Sequence, residues 1–166
     1  MKEIERKFLV QEIPNLINYS YVLIEQGYLN FEPEIRIRKK NHECFMTIKS
    51  EGTLERKENE FDISFEIYKE LMNSIQGNII KKLRYFIPLE NNLIAELDIY
   101  QDQLEGLMVV EVEFPSINHA RNFMVPNWFG TELTENKKYK NKNLATCTSL
   151  EELNLNYPSH DILLKK

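Results

Sequence analysis

Charged residues of like sign, separated by a single residue, recur along this chain of 166 residues. The acidic pairs are Glu3 and Glu5, Glu58 and Glu60, Glu96 and Asp98, and Glu111 and Glu113. The basic pairs are Arg36 and Arg38, and Lys82 and Arg84, with further bases at Lys7, Lys49 and Arg56. Carboxylates bind divalent cations, and guanidinium and ammonium groups bind anions. The pattern therefore indicates a site that holds cations and an anionic ligand together.

This spacing places both members of a pair on one face of a β-strand, because side chains alternate and residues i and i+2 lie about 7 Å apart. A half-buried antiparallel sheet in water also carries charged residues on one face. A solvent-facing sheet accounts less well for all of these pairs together. Almost every position carries a charged residue rather than a neutral polar one, and each strand carries mainly one sign of charge. Like charges on one face repel unless a counter-charge lies between them. The set therefore favours a functional lining.

Eight extended segments and few helices carry these residues. We predict strands near 2–10, 21–30, 33–40, 43–50, 54–62, 79–88, 92–101 and 107–115. Turns between them are predicted at Asn41-His42, Glu51-Gly52 and Asn91-Asn92. One helix capped by Ser64 and another beginning after Ser116 have apolar stripes, and a short third helix is predicted around 141–147.

Many short strands joined by tight turns are typical of a sandwich or a barrel. If all the charged faces converge, the sheet closes around a polar lumen, and eight strands leave room inside for one small ligand. The helices would then cover the apolar outer wall. We therefore predict an α+β, mainly β fold, an eight-stranded antiparallel β-barrel with helices packed outside. This domain is predicted at 1–150, followed by a polar C-terminal tail at 151–166.

Composition argues against several other classes of protein. The chain has no run of about 20 apolar residues and no secretory signal, so we expect a cytoplasmic protein without membrane contact. The formal net charge of −5 argues against a nucleic-acid binder. Cys44 and Cys147 have no motif around them and are predicted to be free thiols. We expect a monomer or a homodimer.

The order of the charged motifs resembles the CYTH superfamily, also called the triphosphate tunnel metalloenzymes. Glu3-x-Glu5-x-Lys7 is similar to the ExExK motif that opens this family, and Arg36-x-Arg38 is similar to its RxR pair. The other matching segments are Gln26-Gly27-Tyr28-Leu29, Thr47-x-Lys49, Arg56-x-Glu58-x-Glu60, Lys82-x-Arg84, Glu96-x-Asp98, Glu111-x-Glu113, Trp128-x-Gly130-x-Glu132-Leu133-Thr134 and Tyr139-x-Asn141. One such motif occurs by chance in many proteins, but the ordered set is specific and covers about residues 1–148.

The resemblance implies a tunnel that binds a triphosphate, which is a small-molecule substrate. Guanidinium groups bind phosphate oxygens in a bidentate manner, and the expected phosphate ligands are Arg36, Arg38, Lys49, Arg56, Lys82 and Arg84. Hard oxygen ligands suit Mg²⁺ or Mn²⁺, and two ions are expected. The expected metal ligands are Glu3, Glu5, Glu60, Asp98, Glu111 and Glu113, with Glu58 and Glu96 as further candidates.

Lys7 and Arg56 are the expected catalytic residues of such a tunnel. In two-metal phosphoryl enzymes one ion bridges phosphate oxygens and the other positions the attacking water. Lys7 either orients or deprotonates that water or binds phosphate, and its carboxylate neighbours make it a poor base. The sequence leaves these two roles open.

The inorganic triphosphatase branch is the part of the family that this chain resembles most. This implies metal-dependent hydrolysis of inorganic triphosphate, with nucleoside triphosphates or polyphosphate as further substrates. The alternatives are a class IV adenylate cyclase, which forms cyclic AMP from ATP, a thiamine triphosphatase, and a catalytically idle binder of phosphorylated ligands. The many carboxylates argue against the idle binder, since an anion-binding protein has no need of them.

Overall fold

The computed structural model describes residues 2–50 and 54–153. In these residues the strands are β1 (Lys2–Val10), β2 (Tyr21–Asn30), β3 (Glu34–Lys40), β4 (Glu43–Lys49), β5 (Glu55–Ile63), β6 (Gln76–Pro88), β7 (Ile94–Tyr100), β8 (Met108–Glu113) and β9 (Phe129–Glu132). The helices are α1 (Phe65–Leu71), α2 (Ile117–Arg121) and α3 (Asn141–Leu144). The first eight strands match the predicted ones. The turn predicted at Glu51-Gly52 and residues 154–166 of the predicted tail lie outside the described residues.

Eight of the strands form a closed antiparallel barrel. They are hydrogen-bonded in the order β5-β4-β3-β2-β6-β7-β8-β1, and β1 also pairs with β5, where Glu3 lies opposite Arg56. The second half of β1 pairs instead with β9, which places Phe8 opposite Glu132. The prediction of an eight-stranded antiparallel barrel is therefore confirmed, and β9 is an addition to it.

Local sequence explains where the turns and helices begin. Asn41, at the β3–β4 turn, has a positive φ of 52°, a conformation that asparagine adopts more readily than most residues. Ser64 caps α1, because its hydroxyl oxygen accepts a hydrogen bond from the Ile67 amide at 3.1 Å. Ser116 caps α2 in the same way, through the His119 amide at 3.2 Å.

The apolar core lies outside the barrel. The outward residues of β1, β7 and β8, among them Phe8, Leu97 and Val110, are buried together with Phe129 of β9. Burial of each such side chain stabilises the fold by about 1.5–3 kcal/mol. α2 packs on this wall through its contacts with β1, whereas α1 covers β3 and β4. The polar faces of the same strands are therefore left to line the interior.

On the far side of the barrel, Tyr68 of α1 forms a second buried cluster with Ile37 and Cys44. Cys44 and Cys147 are both buried free thiols, as predicted. Among the helices of residues 2–50 and 54–153, none has the length and apolar character needed to cross a bilayer.

Candidate active site

The barrel encloses a cavity of about 250 Å³. Every strand except β2 and β9 contributes charged side chains to its lining. Every predicted site residue except Lys82 and Asp98 lines it. These lining residues are Glu3, Glu5, Lys7, Arg36, Arg38, Lys49, Arg56, Glu58, Glu60, Arg84, Glu96, Glu111 and Glu113. The acidic and basic rows of separate strands thus meet around one space.

Lys82 and Asp98 lie beneath the cavity wall and pair with one another. The Lys82 ammonium is 2.7 Å from the Asp98 carboxylate, and neither side chain is more than 2% exposed. Arg84 makes two further hydrogen bonds to the same carboxylate, at 2.7 and 2.9 Å. Burial would favour the protonated acid, but the charges of Arg84 and Lys82 lower the pKa of Asp98 below its ordinary value. Asp98 is therefore already neutralised by two bases.

A second charged cluster joins β1, β4 and β5. One nitrogen of Arg56 lies 3.0 Å from the Glu3 carboxylate and 2.7 Å from that of Glu5. Lys49 adds a contact of 3.1 Å to Glu3. The like-charged rows led us to expect counter-charges from ligands, but neighbouring strands supply part of that charge. Arg56 therefore orients two of the predicted metal ligands.

Carboxylates also lie opposite one another on neighbouring strands. Glu5 lies directly opposite Glu113 in the β1–β8 pairing, and Glu96 lies opposite Glu111 in the β7–β8 pairing. Such like-charged pairs destabilise a sheet. Burial and the charges of Glu111 and Glu3 raise the pKa of Glu5 to about 7. Burial and the charge of Glu3 also raise the pKa of Glu113.

The chemistry of these donors fits a hard divalent cation, which would relieve their mutual repulsion. Within residues 2–50 and 54–153, no three side chains of the histidine, cysteine, aspartate and glutamate types are gathered closely enough to form a ready metal site.

The buried bases form the part of the cavity that is suited to an anion. Arg36 and Arg38 are almost fully buried on β3, and among the residues that the structure describes the Nε of Arg36 has no hydrogen-bond acceptor. Burial and the charges of Arg36 and Arg84 lower the pKa of Arg38 to about 9. A buried donor without a partner and a group of mutually repelling cations are both costly, and an anion among them would offset both costs.

Lys7 reaches the cavity from the middle of β1. Its ammonium donates a hydrogen bond to the Tyr139 carbonyl at 3.1 Å and lies 3.7 Å from the Glu111 carboxylate. An ammonium has three donors and no acceptor, so at least one donor remains for a ligand in the cavity.

Several lining residues were not predicted from the sequence. They are Tyr28, Glu34, Lys40, Leu133, Thr134, Asn136, Lys140 and Asn141. Glu34 and Lys40 continue the alternation of Arg36 and Arg38 within the predicted strand 33–40, so the alternation itself would have identified them. Leu133, Thr134 and Asn141 belong to the matched C-terminal motifs, whereas Asn136 and Lys140 lie on irregular chain without a period that could reveal them.

Replacing Arg38 by alanine should raise KM for the bound anion by about ten- to a hundredfold, because a hydrogen bond to a charged group contributes about 1.5–3 kcal/mol. Thermal stability should change little, since the loss of one cation relieves repulsion from Arg36 and Arg84. Lys57→Ala, which removes a positive charge from the exposed outer side of β5, is the matched control. A lower unfolding temperature with unchanged KM would show that Arg38 is structural.

Known proteins share both the sequence and this architecture. The CYTH domain family model matches residues 1–146. An inorganic triphosphatase of Nitrosomonas europaea is 44% identical over 148 residues, which are 87% of this chain and 97% of the relative. An inorganic triphosphatase of Acetivibrio thermocellus is 33% identical over 148 residues, which are 87% of this chain and 93% of the relative.

A solved structure agrees with these relatives. The crystal structure of an inorganic triphosphatase superposes with a TM-score of 0.68 at 41% identity, covering 89% of this chain and 96% of the other. The family model spans most of the chain, and the charged interior comes from the motifs that carried the resemblance. The chain therefore belongs to the CYTH domain family.

Proposed function

We propose that the chain hydrolyses inorganic triphosphate to pyrophosphate and phosphate inside the barrel cavity. The observation that carries this proposal is the buried Arg36, which lies beside Arg38 and Arg84. Within residues 2–50 and 54–153, its Nε has no hydrogen-bond acceptor. Two relatives that the chain covers almost completely are inorganic triphosphatases. A polyanion with several phosphate groups matches the several bases of this wall.

The size of the cavity favours an inorganic substrate over an organic one. Its volume is about 250 Å³, whereas pockets for drug-sized ligands commonly reach roughly 300–1,000 Å³. Inorganic triphosphate occupies less volume than a triphosphate that carries a nucleoside or thiamine group. The cavity therefore suits a triphosphate chain, and the two relatives favour the triphosphatase over the adenylate cyclase and the thiamine triphosphatase.

The bases act by holding charge in place during phosphoryl transfer. Arg36, Arg38, Lys49 and Arg84 are buried lining residues, so their positions are set by the strands before the substrate arrives. Negative charge in the transition state is spread over the phosphoryl oxygens, and donors fixed in advance stabilise it. Lys82 is a positioning residue in this scheme, because it reaches Asp98 rather than the cavity.

Mg²⁺ or Mn²⁺ completes the site in this proposal. Glu5 and Glu113, and Glu96 and Glu111, are opposed acids that would hold it, with Glu3 beside them. The other predicted ligands, Glu58 and Glu60, also line the cavity, whereas Asp98 is occupied by Lys82 and Arg84. When bound, the metal neutralises phosphate charge and lowers the pKa of the attacking water.

The two predicted catalytic residues receive separate roles. The Tyr139 carbonyl and the Glu111 carboxylate both face the Lys7 ammonium, and both stabilise its positive charge. Lys7 is therefore placed to donate its remaining proton to a phosphate oxygen as a hydrogen bond. Arg56 is held by Glu3 and Glu5 and keeps these carboxylates in position. We therefore favour phosphate binding over a general-base role for Lys7.

A substrate panel tests the proposed function. Inorganic triphosphate, ATP and thiamine triphosphate are incubated separately with the protein and Mg²⁺ or Mn²⁺, and phosphate and cyclic AMP are both measured. We expect the highest kcat/KM for inorganic triphosphate, with phosphate and pyrophosphate as equimolar products. Cyclic AMP formed from ATP would establish the cyclase instead, and binding without turnover of any compound would establish the idle binder.

The ligand class, cellular location and oligomeric state of the protein belong to the proposal as well. The acidic net charge of −5 suits a small-molecule enzyme better than a nucleic-acid binder. We retain a cytoplasmic location and a monomeric or homodimeric state as predictions.

A further inference from the structure

A segment of the C-terminal part of the chain crosses one end of the barrel, and we call residues 133–147 the strap. It begins at β1, where the Leu133 amide donates to the Lys7 carbonyl at 2.7 Å. It ends at β6, where the Asn78 amide donates to the Ala145 carbonyl at 2.7 Å. A Cβ atom on Gly77 would lie only 2.7 Å from that same carbonyl oxygen, so the strap packs tightly here.

Asn141 lies between these two anchors and lines the cavity. Its side-chain oxygen accepts a hydrogen bond from the Tyr100 hydroxyl at 2.6 Å. The Lys82 ammonium lies 3.5 Å from the same oxygen. An ammonium can only donate, so this contact establishes which end of the amide is the oxygen.

The other end of the amide is left for the cavity. Lys82 and Tyr100 are at most 2% exposed and lie behind the wall, so the amide oxygen points away from the space where a ligand would sit. In the part of the chain that the structure describes, the Asn141 Nδ2 has no hydrogen-bond acceptor. An amide NH₂ has two donors, and both can reach a ligand oxygen.

We propose that Asn141 is a substrate-binding residue whose amide nitrogen donates to a phosphate oxygen of the triphosphate, with Tyr100 and Lys82 fixing its orientation. This inference rests on the proposed function. The strap is then part of the active site rather than a cover for it. It adds a neutral donor to a set of bases, so it strengthens phosphate binding without adding repulsion to Arg38 and Arg84.

Asn141→Asp is the decisive variant because it separates the acceptor function of the side chain from its donor function. The new carboxylate keeps the acceptor for Tyr100 and Lys82, but it removes the donor and sets a negative charge against the phosphate. We expect KM for triphosphate to rise by at least about tenfold, in line with the loss of one hydrogen bond to a charged group. The unfolding temperature without ligand should stay the same or rise.

Asn141→Ala removes the donor without adding charge, and we expect KM to rise in this variant as well. Asn118→Asp is the control for charge, since Asn118 is exposed on α2 outside the barrel. Wild-type KM in either Asn141 variant, or a lower unfolding temperature as the sole effect of Asn141→Asp, would overturn the inference. If the wild-type protein neither hydrolyses triphosphate nor is stabilised by it against heat, the proposed function itself fails.

Discussion

Replacing Asp98 by alanine is expected to lower the free energy of unfolding by about 3–5 kcal/mol, the usual cost of removing one partner of a buried ion pair. The substitution leaves Lys82 and Arg84 inside the barrel wall without the carboxylate that lies 2.7 Å from each. Glu96 and Glu111 lie at 3.3 and 3.7 Å from Arg84 and compensate only in part. Chemical denaturation in the presence of a chelator measures this loss directly.

The chelator matters because Asp98 is also a predicted metal ligand. If its main role were to bind metal, the variant would match the wild type in stability once metal is removed and would differ only in activity. We expect the full loss of stability without metal. Glu113→Gln is the matched control, because Glu113 is an exposed acid that Glu3, Glu96 and Glu5 repel. Its removal should leave stability unchanged or raise it.

The pH dependence of this contribution follows from the direction of the pKa shift. The folded pKa of Asp98 lies below its ordinary value. Such a group stabilises the fold above the unfolded pKa, which is about 3.9 for aspartate, and the stabilisation is lost as pH falls through the folded pKa. The difference between the wild type and Asp98→Ala should therefore be present at pH 5 to 6 and shrink in strong acid. It should also decrease as pH rises past about 7, because burial lowers the pKa of Lys82 to about 7 and its ion pair with Asp98 is lost when it deprotonates.

The barrel could be predicted from the sequence because its strands are long enough to show alternation. β3 has seven residues, among them Arg36 and Arg38, and the side chain of Ile37 between them points outward into a buried apolar cluster. β9 has only four residues, so no alternation could be recognised there. Each charged strand face, taken alone, could have faced water. The resemblance to a family then indicated that all of them line one cavity.

The pairing of charges could not be predicted, because it depends on register between strands. Arg84 lies opposite Asp98 in the β6–β7 pairing, which buries an acid that the sequence placed among the metal ligands. Glu5 lies opposite Glu113 although more than a hundred residues separate them. Asn141 belonged to a recognised motif, but its contacts with Tyr100 and Lys82 depend on the course of the strap.

Removal of divalent cations with a chelator is expected to reduce triphosphate hydrolysis by at least about a hundredfold, the order of effect seen when one preorganised charge-stabilising group is lost. Activity should return with Mg²⁺ or Mn²⁺. Full turnover in excess chelator would contradict the assignment of the carboxylates as metal ligands. Calcium supplied in place of these ions is a useful comparison, since its larger size and flexible coordination suit it less well to a site for Mg²⁺.

The same cations should also stabilise the fold, which can be measured without substrate. A ligand that binds only the native state raises the unfolding temperature by mass action. Here it would also relieve the repulsion between Glu5 and Glu113. Glu113→Gln should therefore be at least as stable as the wild type in chelator and gain less from added Mg²⁺. An equal gain in both proteins would place the metal away from Glu113.

Stabilisation by Mg²⁺ should depend on pH, because the Glu5 carboxyl must lose its proton before it can bind the ion. Without metal, the folded pKa of Glu5 is raised to about 7, whereas an unfolded glutamate titrates near 4.3. The stability contributed by the protonated form is complete below the unfolded pKa and is lost as pH rises through about 7. Metal binding requires the ionised carboxylate and releases its proton. The rise in unfolding temperature caused by Mg²⁺ should therefore be small at pH 5.5 and large at pH 8, and a pH-independent rise would exclude Glu5 as a ligand.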